Sequence, residues 1–354
     1  KELPNLPRHR LIILDESQVI KNPSAQISRA VCQLNSEHRL VLTGTPIENS
    51  LTDLWSQLEF LNPGLLGPLA KFQKRFMPAW STPLDQEPSS QVSDRLKQLV
   101  KPFILRRTKR EAEPDLPPLS IEEWYCEMTV DQRTRYETEK SAVRNEILQQ
   151  FDSGRSSENS LVVLKALIRL RQMANHPKLA DPEYKNGSGK FEEIIRVAQT
   201  LREEGHKTLV FSSFVKHLQL VATHFNLEGI SYSMLTGATT NREMVINKFQ
   251  EDPARQFFLI SLKAGGTGLN LTEAGYVMLL DPWWNPAAEL QAINRAHRIG
   301  QDKKVIAYKF ITSDTIEEKM LALQQRKQLL SDTFLPTGNP LKDLSREEIA
   351  ELFG

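Results

Sequence analysis

The chain has 354 residues, and its 45 lysines and arginines nearly balance 44 aspartates and glutamates, for a formal net charge of +1. That balance excludes a uniformly polybasic or polyacidic binder, so any nucleic-acid footprint must be a local stripe. No apolar run approaches the roughly 18 residues of a membrane span and no signal-peptide pattern opens the chain, so no membrane partner is expected. Two cysteines, Cys32 and Cys126, sit in apolar-periodic contexts and read as buried thiols of a reducing compartment. No Cys or His pair has metal-ligand spacing. With 40% apolar and 25% charged residues the chain is ordinary for a globular protein of two or three domains.

In chain order the elements alternate as parallel sheets with crossover helices do. Strand Leu11–Leu14, a helix near Ala25–Leu34, strand Arg39–Leu42 and helix Leu51–Phe60 form a βαβα fragment. Asn62-Pro63-Gly64 breaks it, and residues 69–103 read as a helical insertion interrupted by the polar Ser81–Ser90 loop. Glu111–Pro118, acidic and proline-rich, is a linker. A strand at Glu122–Met128 precedes a long helix opened by Thr129, and this helix and the next, parted at Ser153–Asn159, form a second helical protrusion. Five strands follow, at Thr208–Phe211, Ser231–Leu235, Phe257–Ile260, Tyr276–Leu280 and Val305–Phe310, with helices between most of them. A helix from Thr315 to about Ser331 comes next, and the pattern fixes nothing after Phe334. The fold class is α/β, parallel sheets with helical insertions. The divisions are 1–110 for a first sheet region with its helical protrusion, 111–190 for linker and second protrusion, 191–335 for the second sheet region, and 336–354 for a tail.

Several segments carry chemistry. The apolar run Leu11–Leu14 ends in Asp15-Glu16, delivering two carboxylates to the carboxyl edge of a sheet, where open α/β sheets bind ligands. Strand Phe257–Ile260 runs into a loop with Gly265, Gly266 and Gly268, glycines that let backbone N–H groups approach phosphate closely. In Asp281–Gln301, Gln291, Arg295 and Arg298 stand at spacings of four and three, which on a helix stacks them on one face. Two guanidinium forks there match phosphate oxygens two at a time; the alternative is a solvated basic face. Two basic stretches are candidate nucleic-acid stripes. Lys101–Arg110 has five basic residues and no acid, and Leu161–Leu179 carries Lys165, Arg169, Arg171 and Lys178 without an acid. The P-loop pattern G-x-x-x-x-G-K-[ST] occurs nowhere, and Gly189-Lys190 is followed by Phe191.

The order LDESQVIKN (Leu14–Asn22), LTGTPIEN (Leu42–Asn49), FILRRTK (Phe103–Lys109), LRQMANHP (Leu170–Pro177), LVFSSF (Leu209–Phe214), SLKAGGTGLNL (Ser261–Leu271), DPWWNP (Asp281–Pro286) and QAINRAHRIGQ (Gln291–Gln301) resembles the SWI/SNF-type ATPases, the duplex-DNA translocase branch of the superfamily-two helicases. The DEAD-box RNA helicases carry Asp-Glu-Ala-Asp and Ser-Ala-Thr instead. The resemblance runs from about Leu11 to Leu330 and implies half of one RecA-like lobe followed by a complete second lobe, in a DNA-dependent ATPase that moves on DNA or displaces DNA-bound protein. It implies ATP and Mg²⁺ as cofactors, duplex DNA and a DNA-bound protein target as partners, and an amino-terminal half-lobe holding the P-loop as the missing partner. Without that half the chain is expected to be inactive alone. The location would be cytoplasm or nucleoid in a bacterium and the nucleus in a eukaryote. The alternative from another class is a non-catalytic interaction module that keeps the lobe fold.

By the same resemblance Asp15 and Glu16 serve Mg²⁺ through water and the attacking water, with Gln18 beside them where many relatives have His. Thr43, Gly44 and Thr45 couple that site to the DNA groove and, with Gly268 and Asn270, border the nucleotide. Arg295 and Arg298 act as arginine fingers next to Gln291. DNA contact falls on Ser212, Ser213, Lys263, Gly265, Gly266, Thr267 and Trp284, with Trp284 reaching outward and Trp283 packing inward. Arg106 and Arg107 resemble a brace pairing with Glu317 or Glu318 on the last helix.

Overall fold

The structure is a computed structural model that describes residues 8–44, 51–76, 90–107, 109–152, 156–266 and 268–331. Thr45, Thr267, most of the Ser81–Ser90 loop and the tail lie outside the described residues. The chain divides into two compact units, with breaks in sequence at Lys109 and at Gln325.

In the first unit β1 (His9–Leu14) lies parallel to β2 (Ser36–Val41), with Ile12 opposite Arg39 and Ile13 opposite Leu40. The crossover is a short 3-10 turn (Ser17–Ile20) and α1 (Gln26–Cys32). Arg39 ties β2 to its surroundings: the guanidinium donates to the carbonyls of Phe60 (2.6 Å) and Leu34 (2.7 Å) and stacks over the Phe60 ring. Helices α2 (Leu51–Leu61), α3 (Leu69–Phe76) and α4 (Ser90–Val100) enclose a small core of Leu51, Leu54, Leu58, Phe72, Phe76, Leu96 and Val100. The apolar run of β1 is not buried on both faces. Leu11, Ile13, Leu40 and Leu42 share one face of the two-stranded sheet, by alternation and register, and are 44–51% exposed.

The second unit opens with α5 (Lys109–Ala112), a short helix that runs into the first two residues of the expected linker, and β3 (Leu119–Cys126). The antiparallel helices α6 (Val130–Asp152) and α7 (Ser156–Asn175) follow; residues 156–159, read from sequence as the break, already belong to α7. Then come α8 (Gly189–Glu203), β4 (Thr208–Ser212), α9 (Val215–Leu227), β5 (Tyr232–Leu235), α10 (Arg242–Glu251), β6 (Phe257–Ser261), β7 (Tyr276–Leu279), α11 (Pro286–Ile293), β8 (Val305–Thr312) and α12 (Ile316–Ser331). The six strands form one parallel sheet in the order β3-β8-β7-β4-β6-β5. β4 and β6 are buried along their whole length, as expected of strands covered on both faces. One face packs under α8 and α9 through Ile194, Leu218, Val221 and Phe225, and the other holds Leu209, Phe211, Phe258, Ile260 and Ile293. β3, assigned from sequence to the linker region, is the edge strand of this sheet, paired with β8 from Leu119–Val305 to Cys126–Thr312. Among the described residues no helix is long and apolar enough to cross a membrane.

Gly189-Lys190 has a structural role at the start of α8. A Cβ at Gly189 would lie 1.9 Å from the Glu127 carbonyl oxygen, so the backbone passes where only glycine fits. Lys190 is fully buried; its ammonium donates to the Glu317 carboxylate, to Asn175 Oδ1 (3.1 Å) and to the Leu280 carbonyl (3.3 Å). Glu317 also accepts from the Thr312 amide at 2.9 Å. Of the two acids expected in the brace, Glu317 is paired with Lys190 and Glu318 accepts from the Asp314 amide.

Next to this network lies a group of buried histidines. His217, on α9, is wholly buried, and neither ring nitrogen has a hydrogen-bond partner among the described residues. Burial pushes it down to about 3, and His176, buried and edge-on to Phe191, is down to about 4. Both folded values lie below the ordinary 6.5, so their contribution to stability is complete above pH 6.5 and is lost as the pH falls toward the folded values. Denaturant melts should show stability falling between pH 7 and pH 5 by about 2 kcal/mol for each histidine, and His217→Leu should flatten part of that slope. A stability independent of pH over that range would contradict it.

Candidate functional site

In the first unit the ends of β1 and β2 bring two motifs together. The Leu42 amide donates to Leu14 O (2.8 Å) and the Ser17 amide to Leu42 O (3.2 Å), so the two loops leave the sheet side by side. Glu16 holds a left-handed conformation (φ 49°, ψ 51°) that costs a non-glycine residue of order 1–3 kcal/mol, strain of the kind that collects at functional sites. The turn is kept by Asp15, whose carboxylate accepts from the Glu16 amide (2.9 Å), and by Ser17, which donates to Gln57 (2.8 Å). Gln18 is the bridge: its Nε2 donates to Glu16 Oε2 at 2.7 Å and its Oε1 accepts from the Thr43 hydroxyl at 3.2 Å. Asp15, Glu16, Gln18 and Thr43 are thus one cluster, with Gly44 adjoining it in sequence, and Asp15 is exposed.

In the second unit the arginine-bearing segment departs from the helix-face expectation. α11, capped by Asn285 and started by Pro286, ends at Ile293. Residues 294–300 are a series of turns, with Arg295 N bonded to Ala292 O and Arg298 N to Ala296 O. Gln291 is therefore on the helix and the arginines are beyond it. Arg295 is 7% exposed, Arg298 is exposed, and the three do not share a helical stripe. The turn is fastened to its surroundings at several points. Arg295 O accepts from Leu271 N (3.0 Å), which joins the turn to the glycine loop, and Gln301 Nε2 donates to the carbonyls of Thr272, Ala274 and Ala296. Gln301 was the last letter of a motif in the sequence, with no role assigned.

The glycine loop leaves β6 through a 3-10 turn, Ala264–Gly266, with Lys263 exposed. Gly265 is buried, and a Cβ there would press on Phe211 at 3.1 Å. Gly268 has φ +43° and Asn270 is exposed, so close backbone approach is needed at Gly265 and positive φ at Gly268.

The LVFSSF and DPWWNP segments meet at a buried knot that the sequence did not reveal. Asp281 accepts from both serine hydroxyls and from the Ser213 amide (3.1 Å), and Arg171 of α7 places Nη2 2.9 Å from Asp281 Oδ2 and 2.7 Å from Pro282 O. The guanidinium is stacked on Trp284 (4.4 Å), Phe214 (5.0 Å) and Trp283 (5.4 Å). Three expectations are corrected by this. Ser212 is fully buried and its hydroxyl is spent on Asp281; Ser213, partly buried, is likewise engaged. Trp284 is the inward ring, 8% exposed in the core of α6, α7 and α12, and Trp283 is the more exposed of the two. Arg171 is not part of a solvated basic stripe, although Lys165, Arg169 and Lys178 are exposed. The reason is one buried carboxylate: Asp281 at the end of β7 needs a countercharge, and α7 supplies it.

Two family models match the chain, the SNF2-related domain over residues 2–179 and the helicase conserved C-terminal domain over residues 189–300. The chain is 36% identical to YwqA of Bacillus subtilis (strain 168), named as an ATP-dependent helicase/translocase, over 97% of this chain and 37% of that protein. It is 33% identical to the DNA excision repair protein CSB of Oryza sativa subsp. japonica, over 96% of this chain and 30% of that protein. The chain thus spans about a third of the length of these relatives. Among solved structures it resembles the Sulfolobus solfataricus SWI2/SNF2 ATPase core in complex with dsDNA, at 33% identity and a TM-score of 0.58, covering 99% of this chain and 74% of that one. With the Asp-Glu-Ser-Gln cluster on one unit and the arginine turn on the other, each within its matched model, the chain belongs to the SWI2/SNF2 family of helicase-like proteins.

Proposed function

We propose that the chain is part of an ATP-driven motor that moves on duplex DNA or displaces protein bound there. The observation that carries this reading is the Glu16–Gln18–Thr43 chain of hydrogen bonds, which joins a carboxylate pair to a second loop at the carboxyl edge of two parallel strands. Such a link passes a change at a nucleotide to another surface through a single amide. Asp15 and Glu16 are the residues that would hold Mg²⁺; they supply hard carboxylate oxygens, and among the described residues no larger cluster of His, Cys, Asp or Glu is built for a metal. Water and phosphate oxygens would complete the shell, as is usual for this ion. When bound with ATP, Mg²⁺ supplies charge neutralisation at the phosphates. Arg295 and Arg298 would face those phosphates, and Glu16 would orient the attacking water.

The exposed Leu11, Ile13, Leu40 and Leu42 face supports a further covering element, read here as the half-lobe with the P-loop. The exposed Lys263, at the mouth of the glycine loop, would take a DNA phosphate. The test compares this chain with the complete protein. The chain alone should hydrolyse no ATP above background, and the complete protein should hydrolyse it with strong stimulation by duplex DNA of any sequence. DNA affinity should fall with salt at about 0.9 log unit per log unit of salt for each phosphate neutralised, and Lys263→Ala should weaken all sequences alike. A complete protein without DNA-stimulated turnover would leave a non-catalytic module instead.

A further inference from the structure

The break in sequence between the two compact units falls at Lys109, and the segment that follows does not leave the arginine turn alone. Lys109, at the start of α5, sends its ammonium to Asn294 Oδ1 (2.7 Å) and to the His297 carbonyl. At the other end of the segment, Pro117 O lies 2.8 Å from His297 Nε2, and Pro118 O accepts from Val305 N (3.1 Å). Residues 109–118 therefore form a strap anchored at both ends on the turn 294–298, between and beside the two arginines. A lysine suits the first anchor, because one ammonium on a long stem can serve an amide oxygen and a main-chain carbonyl at once.

The strap also sets charge. Lys109 is half-buried and held down at about 8, first by burial and then by the positive charge of Arg298. The Lys109 ammonium, held on Asn294 and His297, repels the Arg298 fork, and that fork is exposed. Lys109 has no part in the motif roles assigned above; the sequence placed it only at the end of FILRRTK.

We propose that the 109–118 strap sets the arginine turn, with Lys109 a positioning residue that holds Asn294 and His297 and thereby aims Arg298. This rests on reading Arg298 as the group that acts on the phosphates. The consequence is that whatever moves the connection between the units moves the arginines with it, so turnover is tied to the state of the linker.

The experiment uses the complete protein, measuring DNA-stimulated ATP turnover for Lys109→Met, Asn294→Ala, Arg298→Ala and the double variant Lys109→Met/Arg298→Ala. Lys109→Met keeps the stem and removes the donors, and it should lower kcat roughly 10- to 100-fold, the scale of a small misplacement, with KM for ATP and DNA affinity within about two-fold. Asn294→Ala breaks the same contact from the other side and should show the same split. On the Arg298→Ala background Lys109→Met should cost less than about two-fold more, because its effect runs through that arginine. A normal kcat for Lys109→Met, a loss seen in KM or DNA affinity instead, or a full additional loss on the Arg298→Ala background would overturn the proposal. If Arg298→Ala itself keeps normal turnover, the arginine reading fails, a result distinct from a silent Lys109→Met beside a crippled Arg298→Ala.

Discussion

Arg298→Ala in the complete protein is expected to cut DNA-stimulated ATP turnover by about 10³-fold or more, near 4 kcal/mol of transition-state stabilisation, while leaving DNA affinity nearly unchanged. The size follows from what a guanidinium does at a phosphoryl group: charge grows on the equatorial oxygens in the transition state, and a preorganised cation there needs little rearrangement. The position follows from the turn. Arg298 is exposed on a segment fastened by Leu271, Gln301 and Lys109, so its backbone is fixed and its fork is free to meet a ligand. Arg298→Lys keeps a charge but loses the planar fork, and should not restore turnover. Steady-state turnover and a DNA-binding isotherm on the same preparations decide it. Lost DNA binding with normal turnover would make the segment a DNA-facing basic surface.

The inner strands of the second sheet could be read from the sequence because they are short apolar runs, as parallel strands covered on both faces must be. β4 and β6 are the clear cases. β3 was found as a strand but not as part of that sheet, since its half-exposed pattern carries no mark of its distant partner β8. The site separates along the same physical line. Asp15, Glu16, Gln18 and Thr43 were legible because two motifs at neighbouring strand ends must meet once the strands pair. The arginines were placed on a helix by spacing alone, and spacing does not report that α11 stops at Ile293, where the chain turns to bond the glycine loop. Trp283 and Trp284 are equal to any pattern argument. Their burial was decided by Arg171, more than a hundred residues away in sequence, whose guanidinium takes Trp284 as its nearest ring. Pairs of residues distant in sequence leave no local signal, which is why Arg171–Asp281, Lys190–Glu317 and Lys109–Asn294 all had to come from the structure.

Glu317→Ala is expected to destabilise the second unit by about 3–5 kcal/mol, the usual cost of leaving one member of a buried pair uncompensated. Lys190 and Glu317 are both fully buried, and the pair stitches α8 to the start of α12 while Asn175 brings in the end of α7. Removing the carboxylate strands the ammonium on two neutral oxygens and leaves the Thr312 amide without its acceptor. For a unit of this size the loss corresponds to a fall in Tm of roughly 10 °C, readable by calorimetry or by the fluorescence of Trp124, Trp283 and Trp284. The double variant Lys190→Met/Glu317→Leu removes both charges and fills much of the same volume, so it should be clearly more stable than Glu317→Ala, although Asn175 Oδ1 and the Thr312 amide still lose their partners. The comparison separates two accounts of the pair. If the double variant is as unstable as the single one, the cost lies in the hydrogen bonds around the charges. If Glu317→Ala itself melts like the parent, water reaches Lys190 and the network is not the fastening between these helices that its burial implies.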